Sequence, residues 1–322
     1  MIHTRLYRNG ELELEDFPLA DVSDHIAEEN ATVWVDFTDP TMADLAALEE
    51  ELGLHRLAVE DAVHAYQRPK LDRYDSHLFL AAYAVSLDEA SGELSSHEIK
   101  AFITRRALVT VHKSDFDIAP VVKHWDNQSD LAGHGVSFLL WGLLDSVVDG
   151  HFVAVQQMDA EIEQLEDELF DPKPKTPQVQ RHSFELRKSL VMLRRVVLPM
   201  REVVNTLMRR DLETIDTTMV PYFQDVYDHV LRATEWTESL RDLVTTILDT
   251  NIGLQGNRMN LVMKKVTSWA AIIAVPTAIT GFYGQNLPYP GFATEWGFWW
   301  SSALIVVISL GLYATFKWRD WL

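Results

Sequence analysis

Residues 281–286 read Gly-Phe-Tyr-Gly-Gln-Asn and end the first of two apolar segments near the C-terminus. The apolar segments run roughly over Val266–Tyr283 and Phe298–Phe316, with 18 and 19 residues. As helices they would each be about 27 Å long, close to the hydrocarbon thickness of a bilayer. That layer tolerates few polar groups, and irregular polar backbone at such depth usually lines a cavity or a pore mouth. The pattern therefore predicts two transmembrane helices joined by a polar stretch.

The charges that flank the two spans predict their direction. Lys264 and Lys265 precede the first span, Lys317 and Arg319 follow the second, and the connecting loop 285–297 has no Lys or Arg. Positively charged flanks favour the cytoplasmic side. We therefore expect a multi-pass protein of the cell (inner) membrane with both termini in the cytoplasm and the loop on the extracellular or periplasmic side.

The large N-terminal part is acidic and lacks cysteine. The 322 residues carry a formal net charge of −20; residues 261–322 sum to +2, so residues 1–260 carry −22. Such a charge repels nucleic acid and favours cations, although it also simply promotes solubility. The sequence has no Gly-rich phosphate loop, no His-Glu-x-x-His motif and no catalytic constellation. We therefore expect neither an enzyme, nor an enzymatic cofactor, nor a nucleic-acid partner.

Residues 1–135 have the mixed pattern of a cytoplasmic α/β domain. Alternating or β-rich runs predict strands, and apolar residues at helical spacing after Asp39-Pro40 predict a helix. The predicted strands are Thr32–Asp36, Leu78–Val85 and Ala107–His112, the helix is Thr41–Leu52, and Leu87–Ser96 is predicted as a polar hairpin loop. The predicted fold class is thus an α+β cytoplasmic domain followed by long helices.

From Val136 the pattern is helical, and residues 136–220 are predicted as a helical hairpin. Its helices cover residues 136–170 and 178–210, around a proline-rich corner at 171–177. Pro221 then opens a stalk helix, predicted over 221–284 and continuous with the first span. Tyr222–Tyr283 alone would extend about 93 Å, and a helix of that length needs partner helices. The second span, 298–316, and a basic cytoplasmic tail, 317–322, complete the chain.

One face of the long helix carries small or weakly polar residues. Their period of 3.5 residues is typical of a supercoiled helix. The stripe consists of Asn260, Met263, Thr267, Ala270, Ala274, Thr277 and Gly281. Two interpretations stay open: close helix packing in lipid explains the small residues, whereas a pore lined by each subunit also explains Asn260 and the polar Gln285 and Asn286.

Motifs spread in order over most of the chain resemble the CorA-type divalent-cation transporters. These motifs are Glu60-Asp61, Gln67-Arg-Pro-Lys70, Tyr222-Phe-Gln-Asp-Val-Tyr-Asp-His229, Asn257-Arg-Met-Asn-Leu-Val-Met-Lys264 and Gly281-Phe-Tyr-Gly-Gln-Asn286. The resemblance implies a homopentameric funnel. Each subunit would have an α/β cytoplasmic domain, a stalk helix continuous with a pore-lining first span, and an outer second span.

The resemblance also implies a selectivity filter at the end of the first span. The family has Gly-Met-Asn there, and this chain has Gly284, Gln285 and Asn286. A ring of Asn286 side chains would hold the hydrated cation, while Gln285 departs from the family pattern at a position that varies in relatives carrying zinc or other transition metals. The implied pore-lining positions are Asn260, Met263, Val266, Ala270, Ala274 and Thr277, with Met263 and Val266 forming an apolar constriction.

A regulatory cation site between subunits is implied at Asp61 and Asp225. Bound cation would offset like-charge repulsion between cytoplasmic domains, and its loss would let them separate. Asp225, Asp228 and His229 stand at i, i+3 and i+4 and are predicted to share one helix face. Such a cluster alone is more often a solvated helix face.

The predicted function is a homopentameric membrane channel or transporter for divalent cations, chiefly Mg²⁺ and also Co²⁺ or Ni²⁺. Mg²⁺ would be both substrate and regulatory ligand, and the partners would be further copies of the chain and the lipid bilayer. One alternative is a transporter of Zn²⁺ or another transition metal with the same fold, with or without proton coupling. A second alternative is a membrane-anchored cation sensor or scaffold that does not conduct.

Overall fold

The computed structural model describes residues 1–64, 67–88, 92–170, 176–209, 215–285, 288 and 290–322. These residues form two compact units, Met1–Ile247 and Leu248–Leu322. The first unit holds a β-sheet and helices that cover it, and the second unit is helical.

The described residues of the first unit include a seven-stranded sheet. Its strands are β1 (Ile2–Arg8), β2 (Glu11–Glu15), β3 (Ala31–Thr38), β4 (Lys70–Arg73), β5 (Leu78–Asp88), β6 (Glu93–Ile103) and β7 (Ala107–His112). They lie in the order β2-β1-β3-β7-β6-β5-β4, and neighbours are antiparallel except for the parallel pair β3 and β7. The three predicted strands are confirmed as parts of β3, β5 and β7.

The described helices are α1 (Val22–Ala27), α2 (Met42–Glu51), α3 (Arg56–Val63), α4 (Ala119–Asn127), α5 (Val136–Phe170), α6 (Thr176–Leu207), α7 (Val220–Tyr283) and α8 (Glu295–Trp318). The predicted helix after Asp39-Pro40 is confirmed as α2. Thr41 caps it, because the Thr41 side chain accepts a bond from the Asp44 N–H while the Asp44 carboxylate accepts from the Thr41 N–H.

The central strands of the sheet are buried on both faces. Val33, Val35, Phe37 and Val109 share one apolar core with residues of α1, α2 and α3. The indole of Trp34, on the same strand as Val35, lies against that of Trp125 of α4, with ring centroids 4.9 Å apart. Because helices cover both faces, β7 is buried at every position and reads as a continuous apolar run rather than an alternating one.

The hairpin between β5 and β6 corrects one prediction. Leu87–Ser96 was expected to be a loop, but β5 extends to Asp88, β6 begins at Glu93, and Leu87 pairs with Leu94. Residues 89–91 lie outside the described part of the chain. The polar ribbon is held by tertiary contact: the Ser189 hydroxyl of α6 donates to the Gly92 carbonyl and accepts from the Leu94 N–H.

The two helices after the sheet follow the predicted hairpin pattern. α5 ends at Phe170 as expected, while α6 begins at Thr176 and ends at Leu207, close to its predicted bounds. Pro177 is accommodated in the first turn of α6, where its missing N–H costs no helical bond. The prolines at 172 and 174 in the predicted corner, like residue 210, lie outside the residues that the structure describes.

Three helices of the described chain are long and apolar enough to cross a bilayer: α5, α7 and α8. They differ in burial, since 67% of the apolar window of α5 is covered by the protein, against 6% for the windows of α7 and α8. α5 is therefore a core helix. The two exposed apolar windows support the two predicted spans. α7 continues through Pro276, which removes one helical hydrogen bond but is tolerated in membrane helices.

Candidate functional site

The predicted filter starts where α7 ends. Beyond Tyr283, the Gly284 N–H donates to the Thr280 carbonyl at 2.8 Å, and the Gln285 N–H donates to the Phe282 carbonyl at 3.3 Å. Both residues are exposed, whereas Asn286 lies outside the described residues. A helix end carries a partial negative charge from its unpaired carbonyl groups. The first two filter residues therefore stand at a position whose field attracts cations.

α7 has one partly covered face within the second unit. Between residues 268 and 283 the covered positions lie one to four residues apart and are Ser268, Ala271, Ile272, Val275, Pro276, Ile279 and Tyr283. The covered positions of α8 are Gly297, Ser301, Ser302, Leu304, Ile305, Ser309, Leu312 and Phe316.

The six predicted pore-lining residues all lie on exposed parts of α7. They are Asn260, Met263, Val266, Ala270, Ala274 and Thr277. Met263 and Val266 are 57% and 59% exposed. At about 100° per residue, Thr277 points roughly 200° away from the covered Ile279. The stripe therefore occupies the side of α7 opposite its covered face, where further copies of the chain have room to pack.

An acidic cluster that the sequence analysis missed lies on α5 and α7. One oxygen from each of Asp145 and Asp149 and a ring nitrogen of His229 lie within 4.8 Å of one another. His229 is 3.7 Å from the Asp149 carboxylate and 4.0 Å from that of Asp225. His124 approaches Asp145 to 3.3 Å. The signal in the sequence was a pair of carboxylates at i and i+4 within the apolar first half of α5.

The surroundings of Asp145 in this cluster disfavour its charged form. Burial raises the pKa of the Asp145 carboxyl, and the nearby charges of Asp149 and Asp225 raise it further against the opposing effect of His124 and His229. A cation placed among these groups would relieve that repulsion. Carboxylate oxygens suit Mg²⁺, and an imidazole nitrogen suits Co²⁺, Ni²⁺ or Zn²⁺.

The cluster divides the residues predicted to share one face of α7. His229 points to the carboxylates of α5, whereas the Asp228 carboxylate accepts a bond from the Gln224 amide at 3.1 Å. Asp225 approaches His229 of its own chain to 4.0 Å, and its side chain is 68% exposed. Asp225 is therefore open to a second molecule in a way that Asp145 is not.

Asp61 is engaged within its own chain. The Lys70 ammonium lies 2.7 Å from Asp61 Oδ2, and the Gln67 amide donates to Asp61 Oδ1 at 3.4 Å. Within its own chain, Asp61 is therefore already paired with a cationic and an amide group.

The segment that carries Asp61 is fastened to the sheet. Lys100 of β6 is buried, and its ammonium donates to the carbonyls of Ala62 and His64 at the end of α3. Burial lowers the pKa of Lys100, although the nearby Glu98 carboxylate opposes this shift. Glu98 also accepts a bond from the Gln67 N–H at 2.8 Å. The position of Asp61 is thus set by a rigid support.

Comparison with known proteins gives a consistent family. The model of the family described as "CorA-like Mg²⁺ transporter protein" matches residues 29–317. The cobalt/magnesium transport protein CorA of Thermotoga maritima is 30% identical over 316 residues, which cover 96% of this chain and 90% of the relative. The zinc transport protein ZntB of Yersinia enterocolitica is 25% identical over 300 residues, covering 92% of this chain and 89% of that protein.

The fold agrees with a solved structure. The complete structure of the CorA magnesium transporter from Methanocaldococcus jannaschii superposes with a TM-score of 0.81 at 23% identity, covering 100% of this chain and 99% of the other. This likeness confirms the predicted fold class, namely an α+β domain, a long helix and two C-terminal helices. The family model spans both apolar helices and most of the sheet domain. The chain therefore belongs to the CorA-like Mg²⁺ transporter family, whose members are divalent-cation transporters of the membrane and not enzymes.

Proposed function

We propose that the chain forms a homopentameric channel for hydrated Mg²⁺, Co²⁺ and Ni²⁺. The observation that carries the proposal is the exposed stripe on α7, which lies opposite the covered face of the helix and leads to Gly284 and Gln285. Copies arranged around an axis would turn this stripe into a pore lining. Uptake of Mg²⁺ into liposomes that contain the purified protein tests the proposal, and flux no greater than in protein-free liposomes would contradict it.

The chemistry of the filter suits an ion that keeps its water. Mg²⁺ dehydrates reluctantly and is usually held through its water shell. The Asn286 amide oxygen can accept a bond from a coordinated water, and it adds no fixed charge. A ring of carboxylates would hold the ion more tightly and release it more slowly, which is unfavourable for conduction. Deeper in the pore, rings of Met263 and Val266 would close the channel by excluding water.

We propose the orientation that the flanking charges predict. Both termini face the cytoplasm, the 285–297 loop faces the outside, and 317–322 is a cytoplasmic tail. Lys317 and Arg319 lie at the end of α8, and Glu295 stands at its start. In the same scheme 1–135 is the cytoplasmic domain, 136–220 the helical hairpin, 221–284 the stalk and first span, and 298–316 the second span.

Regulation by the transported cation is part of the proposal. The cation would bind between Asp61 of one subunit and Asp225 of the next, with Asp145, Asp149 and His229 beside Asp225. The 68% exposure of the Asp225 side chain and the concentration of negative charge around it support this arrangement. Bound cation would hold the subunits together in a closed state, and a fall in its concentration would free them to open.

Zinc transport is the second candidate. Gln285 replaces the family's methionine, and a zinc transport protein is among the relatives. The ring nitrogen of His229 in the acidic cluster is also a ligand of the kind that Zn²⁺ prefers. A non-conducting cation sensor is a third candidate. It would be favoured by a pentamer that binds Mg²⁺ and passes no divalent ion.

Asp225→Ala is expected to weaken the protection that Mg²⁺ gives the cytoplasmic part against proteolysis. Loss of a carboxylate from a divalent-ion site removes a direct ligand, so we expect the Mg²⁺ concentration for half-protection to rise about tenfold. Limited proteolysis of the full-length protein at a series of Mg²⁺ concentrations measures this half-protection concentration. Asp228→Ala is the matched control, because Asp228 lies one helical turn away and bonds Gln224 instead. Equal protection of Asp225→Ala and wild type would contradict the regulatory role.

A further inference from the structure

Lys70 is held between two carboxylates beside the proposed regulatory site. Its ammonium lies 2.7 Å from Asp61 Oδ2 and 2.6 Å from Asp72 Oδ2. It also lies 5.5 Å from the centroid of the Phe79 ring. The side chains of Lys70, Asp61 and Asp72 are 22%, 32% and 38% exposed. The Lys70 ammonium is therefore paired with Asp61, the carboxylate that a regulatory cation would bind.

We propose that Lys70 is a tethered cation that occupies Asp61 while the regulatory site is empty, and that an incoming divalent cation must displace it. The proposal rests on the proposed role of Asp61 as a regulatory ligand. It makes Lys70 the residue that sets the cation concentration at which the site fills.

Displacement is feasible because Lys70 has a second partner. When the ammonium leaves Asp61 it keeps its bond to Asp72, so it is never left without a counter-charge. The ordinary pKa of a lysine lies far above neutral pH, so Lys70 competes for Asp61 as a cation. The flexible stem of lysine allows the necessary movement.

The exchange discriminates between ion classes. Replacing the ammonium by a divalent ion doubles the positive charge that faces Asp61, and the attraction between Asp61 and its partner grows accordingly. Replacing it by K⁺ or Na⁺ leaves that charge unchanged, while the tether keeps the effective concentration of the ammonium high. Monovalent ions at cellular concentrations would therefore leave Lys70 in place, and the site would respond to divalent ions alone.

Lys70→Met tests the proposal in the full-length protein, with Mg²⁺ as the probe and proteolytic protection as the readout. We expect the Mg²⁺ concentration for half-protection to fall about three- to tenfold, since a competing charge at a partly exposed site has been removed. Lys70→Arg keeps the charge and should stay near wild type. Lys123→Met removes a charge from an exposed position of α4 that has no bond to Asp61, and it should have no effect.

A double variant separates competition at Asp61 from a general change of charge. In an Asp61→Asn background, Lys70→Met should no longer lower the half-protection concentration. The carboxylate for which Lys70 and Mg²⁺ compete is then absent, so removing Lys70 frees nothing. Asp72→Asn should raise the half-protection concentration. Of the two carboxylates that hold Lys70, only Asp61 then remains, so Mg²⁺ displaces the ammonium from Asp61 less easily. If Lys70→Met does not fold, Lys70→Gln replaces it, and the Asp72→Asn result stands independently.

The outcomes distinguish the role of Lys70 from the regulatory cation site at Asp61 and Asp225, on which that role rests. If Lys70→Met leaves the half-protection concentration unchanged while Asp225→Ala raises it, the tethered-cation role is wrong and the regulatory site stands. An equal fall caused by Lys123→Met would also overturn the role. If Mg²⁺ gives wild type no protection, the regulatory site itself is wrong, and the role of Lys70 falls with it.

Discussion

Asn286→Ala is expected to reduce divalent-cation uptake to nearly the level of protein-free liposomes. Each amide contributes about 1 kcal/mol when it bonds a coordinated water, and the change removes one amide from every subunit of the ring. Loss of two or more such bonds alone corresponds to a reduction of roughly 30-fold. Uptake is measured with a Mg²⁺-sensitive dye inside liposomes that hold equal amounts of wild-type or variant protein.

Asn257→Ala is the control for this experiment. It also removes an amide from the same helix, but from an exposed position far from the filter in sequence. We expect its uptake to stay within about twofold of wild type, as for most surface substitutions. Wild-type uptake by Asn286→Ala, with intact assembly, would exclude Asn286 as the selectivity residue.

Thr277→Cys is expected to make uptake sensitive to a cationic thiol reagent. The chain has no cysteine, so the introduced thiol is the single target in each subunit. A bulky positive adduct on the pore face would repel a divalent cation at close range, and we expect uptake to fall by about tenfold or more. The measurement compares Mg²⁺ uptake before and after treatment, with mass spectrometry to confirm that the thiol has reacted.

Ile279→Cys provides the matched control for the labelling. It lies two residues along the same helix at the same depth, but on the covered face of α7. We expect slow labelling and little loss of uptake. Equal inhibition of both variants, or none in fully labelled Thr277→Cys, would show that the stripe does not line the pore. Close packing of small residues in lipid would then be the better interpretation.

Local patterns were sufficient for most of the fold. The two membrane helices follow from charge-free apolar runs, and α2 follows from apolar residues at helical spacing after Asp39-Pro40. In the structure, Thr41 and Asp44 cap the start of α2. The prediction failed at Leu87–Ser96 because polar composition indicated a loop, whereas contact with Ser189, about 95 residues away, holds the segment as strand. Such a contact has no local signal.

The candidate site was predictable to a smaller extent. Asp225 and the filter residues were identified through motifs that resemble a family, and their roles remain proposals. Asp145 and Asp149 were missed because their importance depends on α5 packing beside His229 of α7, about 80 residues further along the chain. The bond between Lys70 and Asp61 was likewise hidden, since β4 and α3 meet only in the folded sheet domain. Periodicity identifies a helix face but does not identify its partner.

Uptake of Mg²⁺ and Zn²⁺, measured side by side in the same liposomes at two pH gradients, tests the central claim most directly. Mg²⁺ is selected with its water shell, whereas Zn²⁺ readily exchanges water for nitrogen ligands. We predict Mg²⁺ uptake well above that of protein-free liposomes, larger than Zn²⁺ uptake and the same at both pH gradients. Zn²⁺ uptake that requires the proton gradient, together with no Mg²⁺ uptake, would contradict the assignment as a magnesium channel.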